Sequence, residues 1–493
     1  MQNYKKVIGS ISIVTVSYLM SRVLGFYREI MLAKWTGLSE ATDILDLAFV
    51  IPDFLFYLSA GGYLAITLIP LLNKQQEDKV NKYYLSLLYG LTIIFIILTL
   101  STYFLRYQIA NFLNVKNIEF FIEIFTPVVF SQLFFFIGAI LMAFQYFKEN
   151  FLYPSLAPVI YNCSIIFFGW INSTSPEETV KGFAIGTLVG SILGHLIIQL
   201  IGVIKSGLII QYFLPNVKYL KEYLFISLPL IVGQSIAVID EQLFRYFGSL
   251  LDTGSIASFR YARRIALLPV GIIAQAIGVA SYPFLSKLFK NNKYDELKIL
   301  VRKQLVYLLV LNGALMVFGL VNSESIIKIV YQRGNFTAIE TNTVSSIFFI
   351  ICFAILPWSI NQILTRTFYV QEEFWFPVVS GTLVTLLTIL YMSQIKNPST
   401  LKFALSIVFS LYVYTFILLL KLDIDREKLL NKELFNDFIK SLLIFSTSYF
   451  TVEKIDFSNE ITSMSLSILA IAIIVFVLVK LLKFKYINLS SRE

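Results

Sequence analysis

The sequence predicts an all-α polytopic membrane protein, and three observations carry that prediction. Of its 493 residues, 57% are hydrophobic and only 14% charged, against about 45–50% apolar and about 25% charged for a soluble domain. Apolar runs of about 18 or more residues recur from one end to the other, the length a helix needs to cross a bilayer. No polar stretch between them is long enough to fold as a soluble domain. The net charge of +9 is therefore read through topology and not as a nucleic-acid footprint. Cys163 and Cys352 lie in apolar runs and form no disulfide framework. His195 is the only histidine, so no metal site is expected. The first apolar run carries Arg22 and lacks a small-residue cleavage site, which marks a retained helix and not a signal peptide.

Fourteen spans are expected, roughly at 7–30, 44–72, 83–105, 120–147, 151–171, 182–204, 222–250, 255–288, 303–321, 342–369, 374–394, 401–421, 434–451 and 461–482. With the N-terminus in the cytoplasm, the cytoplasmic loops collect about 23 Lys and Arg and the outer loops about 10, as the positive-inside rule requires. The segment after span 8, with Lys287, Lys290, Lys293, Lys298, Arg302 and Lys303, decides the orientation, and Lys480, Lys483 and Lys485 agree. Both termini are then cytoplasmic.

Span 2 reads Pro52, then Pro70-Leu71-Leu72-Asn73-Lys74; span 8 reads Pro269, then Pro283-Phe284-Leu285-Ser286-Lys287. This weak repeat makes spans 1–6 and 7–12 two parallel halves, a known transporter plan. The expected divisions are a lobe over 1–215, a second over 216–425, and two further helices over 426–493.

Charge inside the apolar runs is the informative chemistry, because an ionised group at membrane depth is costly unless it faces water or a partner. Arg22 sits ~22 Å from the cytoplasmic edge of span 1 and Arg264 ~14 Å from the outer edge of span 8, at 1.5 Å per residue. In a bilayer about 30 Å thick the two reach similar depth from opposite halves, as a cavity between two lobes needs. Arg260 and Arg264 share one helix face, with Arg263 beside them. Guanidinium forks suit the pyrophosphate of a lipid-linked sugar. The bland alternative is snorkelling, or pairing with Asp43, Asp240 or Glu241. Arg28 lies about 120° round the helix from Arg22. Asp43, at the start of span 2, is either a helix-terminus partner or an outer gate. Asp240 and Glu241 in span 7 are candidates for an ion site or a gate. Arg245 is a weaker cavity candidate. Arg366 reads as snorkelling and His195 as a hydrogen-bonded packing residue.

On these residues the chain resembles the MurJ/MviN family of lipid II flippases, within the multidrug/oligosaccharidyl-lipid/polysaccharide exporter superfamily. The matching blocks are Ser21-Arg22-Val23-Leu24-Gly25-Phe26 with Arg28, Ala41-Thr42-Asp43, and Gly254-Ser255 through Tyr261-Ala262-Arg263-Arg264 to Leu268-Pro269-Val270-Gly271 and Pro283-Phe284-Leu285-Ser286. Smaller matches are Pro154 to Asn162 and Arg366-Thr367-Phe368-Tyr369. The resemblance implies fourteen helices in two lobes around a central cavity, with the last two lining a groove for a lipid tail. It implies substrate-binding roles for Arg22, Arg28, Arg264 and Asp43, with Ser21 and Arg263 beside them. Two departures stand out. Where the family has an Arg-Arg pair and then Ala-Glu-Gly, this chain reads Phe56-Tyr57 and Ala60-Gly61-Gly62. Span 11 carries Thr382, Thr385 and Thr388 but no carboxylate, which argues against a sodium site.

The expected function is translocation of lipid II to the outer leaflet of a bacterial cytoplasmic membrane, without a cofactor, driven by membrane potential or a coupling ion. The alternative is a flippase for another undecaprenyl-linked glycan. Membrane lipids and the cell-wall synthesis machinery are the other partners considered. A glycosyltransferase would need a positioned acid or base, and the short outer loops gather none. A scaffold needs no arginines at matching depth, and a cation exporter would not line its cavity with them. The charge bias gives a direct test: a topology reporter fused after Lys293 reads cytoplasmic and one fused near Asp252 reads external. The reverse pattern removes the depth argument for the arginines.

Overall fold

Helix propagates through this chain wherever apolar runs are long, because backbone groups without water must bond within their own segment. The computed structural model describes the backbone of residues 2–59, 63–212, 214–237, 239–425, 427–454 and 459–487; within these, the side chains of residues 2–15, 18, 57–59, 63–66, 228–237 and 239–241 lie outside the description. The chain divides into two units: residues 1–257 with 333–337, and residues 258–332 with 338–493.

In the first unit, α1 (Gln2–Thr36) ends where Gly37 takes a left-handed φ of 57°, a conformation that costs glycine least. Ser39 then accepts from the Thr42 amide and caps α2 (Glu40–Ala48). Next come α3 (Val50–Ser59) and α4 (Tyr63–Asn73), with Ala60, Gly61 and Gly62 outside the described residues. The run continues with α5 (Glu77–Phe104), α6 (Arg106–Phe112), α7 (Ile118–Phe147) and α8 (Leu152–Ile171). Ser175 caps α9 (Pro176–Ser191), which has proline in its first turn and Glu177 and Glu178 beside it, the arrangement that suits a helix N-terminus. A π-turn at Ile192–Ile197 leads into α10 (Ile198–Lys205), followed by α11 (Val217–Ala237) and α12 (Ile239–Gly248).

The tightest packing in this unit joins α8 to α9. Gly182, Gly186, Gly190 and Gly194 recur every fourth residue and form one stripe on the helix. A Cβ added at Gly182 would lie 2.4 Å from the Phe168 carbonyl oxygen, and one at Gly186 2.7 Å from the Ile165 Cα. At Gly194 it would meet the Ala157 carbonyl at 2.8 Å. The partners descend α8 as the glycines ascend α9, so the helices run antiparallel with their backbones touching. Hydrocarbon offers no hydrophobic drive to join helices, and close approach through small residues supplies the van der Waals contact instead. A second cluster holds Leu68, Leu72, Tyr84, Phe136 and Phe144, all buried.

The second unit begins within α13 (Ser255–Pro269). Pro269 is followed by a π-turn at Val270–Ala274 and then α14 (Gln275–Lys290); proline offers no amide to the ladder, and the wider turn absorbs the defect. After α15 (Tyr294–Val321) and α16 (Ser323–Tyr331), α17 (Ala338–Cys352) and α18 (Ile355–Val370) form a span bent by 40°. α19 (Trp375–Ser393) and α20 (Thr400–Lys421) follow, then an antiparallel β-hairpin of Asp423–Ile424 and Glu427–Lys428. Arg302 holds the hairpin's end on α15 by donating to the Lys428 and Leu429 carbonyls. α21 (Lys432–Val452) and α22 (Glu460–Leu482) complete the chain. Asp437, fully buried, accepts from the Lys485 and Tyr486 amides and ties the segment after α22 back onto α21.

Among the described residues, nine helices are long and apolar enough to cross a membrane, or ten if the bent α17–α18 pair is one span. The expected first, second, seventh and thirteenth spans are helical as α1, α2 to α4, α11 with α12, and α21, but fall outside that count. His195 lies in the π-turn, buried against Phe135 and Tyr161 with ring centroids 4.2 and 6.2 Å away.

The glycine stripe sets a prediction for stability. Gly186→Val drives a side chain into α8 backbone that cannot rotate away, and overpacking of this kind costs about 1–3 kcal/mol. Thermal unfolding in detergent should show a lower midpoint for Gly186→Val than for the unaltered chain, with Gly186→Ala between the two.

Candidate functional site

Each unit presents its own set of charged residues within apolar helices. In the first unit, α1 carries Ser21, Arg22 and Arg28. Arg22 is exposed and Arg28 half-buried. Arg28 donates to the Glu29 carboxylate at 3.1 Å, and Glu29 is only 6% exposed. A second pair lies between α12 and α3: Arg245, 8% exposed, donates to Asp53 at 2.9 Å and to Gln242 at 3.3 Å. Tyr161 of α8 lies within electrostatic reach of both Arg28 and Asp53. Two arginines are thus each matched with a carboxylate around one tyrosine. In a medium of low dielectric this pairing relieves much of the cost of holding the charges there.

The wall beside this cluster is aromatic. Phe56 packs on Phe135 and Phe136 at 5.8 and 6.2 Å, Phe136 stacks on Phe95 at 4.3 Å, and Phe135 meets Tyr161 at 5.0 Å. Phe56 is one of the two positions where the resemblance leads one to expect arginine; the Tyr57 side chain lies outside the described residues.

Asp43 stands in the first turn of α2, as the helix-terminus reading has it, and it also reaches a second helix. Its own helix is capped by Ser39. Its carboxylate instead accepts from the Gly254 amide at 2.6 Å and the Ala257 amide at 2.8 Å, and so caps the start of α13. Gly254 has a φ of 85°, and a Cβ there would meet the Leu38 carbonyl at 2.7 Å. Glycine is the residue this close approach admits. A carboxylate on helix N-terminal amides satisfies two orphan donors and lies at the positive end of the dipole.

In the second unit α13 carries Arg260, Arg263 and Arg264. Arg260 lies over the Tyr261 ring at 4.5 Å, and Arg263 over Trp358 of α18 at 5.5 Å. Tyr261 is fully buried against Tyr331. Arg264 is exposed and, among the described residues, has no hydrogen-bond or ion-pair partner. Arg366 is half-buried on α18 and donates to the Gln362 side chain and backbone carbonyl.

The expected residues therefore fall in two sets: Ser21, Arg22, Arg28 and Asp43 in the first unit, Arg263 and Arg264 in the second. The side chains of Asp240 and Glu241 lie outside the described residues. Sequence reasoning passed over Glu29 and Asp53. Asp53 stands in the apolar run Val50-Ile51-Pro52-Asp53-Phe54-Leu55, and applying the rule used for the arginines to carboxylates finds it.

Solved structures share this architecture. A transporter titled "Inward-facing conformation of a multidrug resistance MATE family transporter of the MOP superfamily" aligns with a TM-score of 0.64 at 12% identity, over 89% of this chain and 98% of that one. "Lipid II flippase MurJ, inward closed conformation" aligns at 0.81 and 23% identity, over 95% of this chain and 98% of the other. The fold is that of a multi-pass transporter of this kind. Residues 32–475 match the family model described as lipid II flippase MurJ, and the chain belongs to that family. Among curated relatives, a probable lipid II flippase MurJ of Buchnera aphidicola subsp. Acyrthosiphon pisum is 27% identical over 416 residues, 80% of this chain and 78% of the relative.

The Asp43 cap makes a measurable prediction. Loss of an N-cap acceptor costs about 0.5–2 kcal/mol, so Asp43→Ala lowers the unfolding midpoint, and Asp43→Asn, with one acceptor oxygen left, lowers it less. Freed from its cap, the Gly254 turn opens, and a cysteine introduced by Thr253→Cys reacts faster with a soluble maleimide in the Asp43→Ala background than in its absence. Equal rates would show that the cap does not restrain this turn.

Proposed function

We propose that this chain is a flippase for lipid II, the undecaprenyl-pyrophosphate-linked peptidoglycan precursor, and that it moves the head group from the cytoplasmic to the outer leaflet by alternating access. Membership of the lipid II flippase family over residues 32–475 carries the reading. The proposed layout is fourteen spans in a bacterial cytoplasmic membrane with both termini cytoplasmic. It has a lobe over 1–215 and a lobe over 216–425 around a central cavity, with the helices of 426–493 guiding the prenyl tail.

The chemistry follows from the arginines. Arg264 has no carboxylate of its own among the described residues, and an arginine within an apolar span calls for an anion or water. We assign Arg22 and Arg264 to the pyrophosphate, with Arg28, Arg263 and Ser21 beside them. Arg28 is held by Glu29, so a pyrophosphate reaching it competes with a carboxylate. Until the pyrophosphate arrives, the Glu29 carboxylate balances the Arg28 charge, which keeps the empty carrier stable. Asp43 on the α13 amides serves as the outer latch, and Asp240 and Glu241 are kept as candidates for an ion site or gate. No cofactor is proposed. Membrane potential is a fitting drive, since one charge moved through 100 mV is worth about 2.3 kcal/mol. Thr382 and Thr388 donate to carbonyls of their own helix, and span 11 brings no carboxylate to a sodium ion. Cell-wall synthesis enzymes are natural recipients of the product.

A second reading, a flippase for another undecaprenyl-linked glycan, is favoured by one observation: Phe56 and its aromatic neighbours stand where the family resemblance places arginine. That change leaves the pyrophosphate arginines and alters what surrounds the sugar.

One experiment separates these readings. In cells depleted of their essential lipid II flippase, supply of this chain restores growth if lipid II is the cargo. Failure at good membrane abundance assigns another glycan. On the rescuing chain, Arg22→Ala and Arg264→Ala each abolish transport without lowering abundance. Each weakens lipid binding roughly 10- to 150-fold, the worth of a charge-assisted hydrogen bond at about 1.5–3 kcal/mol. Lysine at either position restores it only in part. Normal transport by Arg22→Ala would defeat the assignment.

A further inference from the structure

A cavity of about 610 Å³ opens between α19 and α20, and no arginine is among its lining residues. Its volume is that of a ligand pocket. Its rim is formed by Leu387, Tyr391, Leu405 and Phe409, each more than half exposed; its floor includes Thr388 and Ser406, both buried. The floor hydroxyls ask nothing of an occupant, since Thr388 donates to the Val384 carbonyl and Ser406 to the Lys402 carbonyl, each at 2.8 Å. Ser410 likewise donates to Ile407 at 2.8 Å. With these hydroxyl protons already engaged within their own helices and Val384, Leu387, Leu405, Phe409 and Val413 lining the rest, this part of the slot suits hydrocarbon.

One end of the slot is charged. The Lys402 ammonium donates to the Lys396 and Asn397 carbonyls at 3.0 and 2.8 Å, which pins it at the α19–α20 loop. It has no carboxylate partner among the described residues, and an ammonium has a third donor to offer. From Lys402 to Val413, the last lining residue on α20, the groove runs ~16 Å at 1.5 Å per residue. That is about half of a ~30 Å hydrocarbon core, the depth of one leaflet.

We propose that this groove holds an anionic phospholipid, with one acyl chain in the slot and its phosphate on Lys402. A positive group at the polar end of an apolar slot one leaflet deep is complementary to that molecule and not to a neutral lipid. Only the choice of leaflet rests on the orientation proposed above, which makes it the outer one.

Native mass spectrometry of the full chain in detergent, titrated with phosphatidylglycerol or phosphatidylcholine, tests this. The expected result is several-fold higher retention of phosphatidylglycerol, falling to the phosphatidylcholine level in Lys402→Gln and below it in Lys402→Glu. Both substitutions are at an exposed site and leave the fold intact. Ser406→Trp, which fills the floor, removes the retained adduct. Equal retention of the two lipids by the unaltered chain, or a phosphatidylglycerol adduct indifferent to both Lys402 variants, overturns the proposal. Displacement of phosphatidylglycerol by equimolar undecaprenyl phosphate overturns it too, and gives the groove to the prenyl tail. The leaflet is read separately: in a Cys163→Ser, Cys352→Ser background, Gln394→Cys should react with an impermeant maleimide in intact cells. Reaction only after lysis would reverse the orientation and leave the lipid binding as measured.

Discussion

A charge held in hydrocarbon must be matched by an opposite charge, by aligned dipoles or by water, and most of what distinguishes this protein follows from that constraint. Three solutions coexist. Arg28 and Arg245 are matched by carboxylates, Glu29 and Asp53. Asp43 is matched by the amides that open α13. Arg260 and Arg263 lie against aromatic faces, where a cation meets the negative side of a ring quadrupole. Arg264 alone among these has none of the three within the described residues, which is why the anion is assigned to it.

The same low dielectric removes the force that normally joins helices. Soluble proteins bury apolar faces to escape water; here every face is apolar and lipid is as good a neighbour as another helix. Association therefore depends on fit. The α8–α9 stripe brings backbone to backbone through glycine, and a buried hydrogen bond of 2.6 Å from Asn312 to Ser359 ties α15 to α18. The wide α19–α20 groove is the opposite case, a place where the two helices leave a cavity of about 610 Å³ between them.

Prolines and π-turns mark where regular helix gives way. Pro269 is followed at once by a π-turn, and Pro283 lies within the next helix, while the second span is interrupted at Phe49 between α2 and α3. Missing amides and wider turns lower the cost of bending at those points, and alternating access requires bending of that kind.

Composition and run length determined that the chain is helical and membrane-spanning, because those properties follow from transfer free energy summed along the sequence. The arginines within apolar runs were equally legible, since the charge of a residue and the hydropathy of its sequence neighbours are both read along the chain. The glycines of α9 stand at a strict four-residue spacing that the sequence reading passed over, and only their match on α8 gives the spacing meaning. What the sequence could not yield was partnership. Arg245 and Asp53 are 192 positions apart, and Asp43 is 211 from the glycine amide it holds. A carboxylate at a helix start reads as that helix's own cap until another helix is brought alongside. Charge and hydrophobicity are properties of a residue, and local. Pairing, the Asp43 cap on α13 and the open groove are properties of two elements at once, and only the tertiary structure decided them.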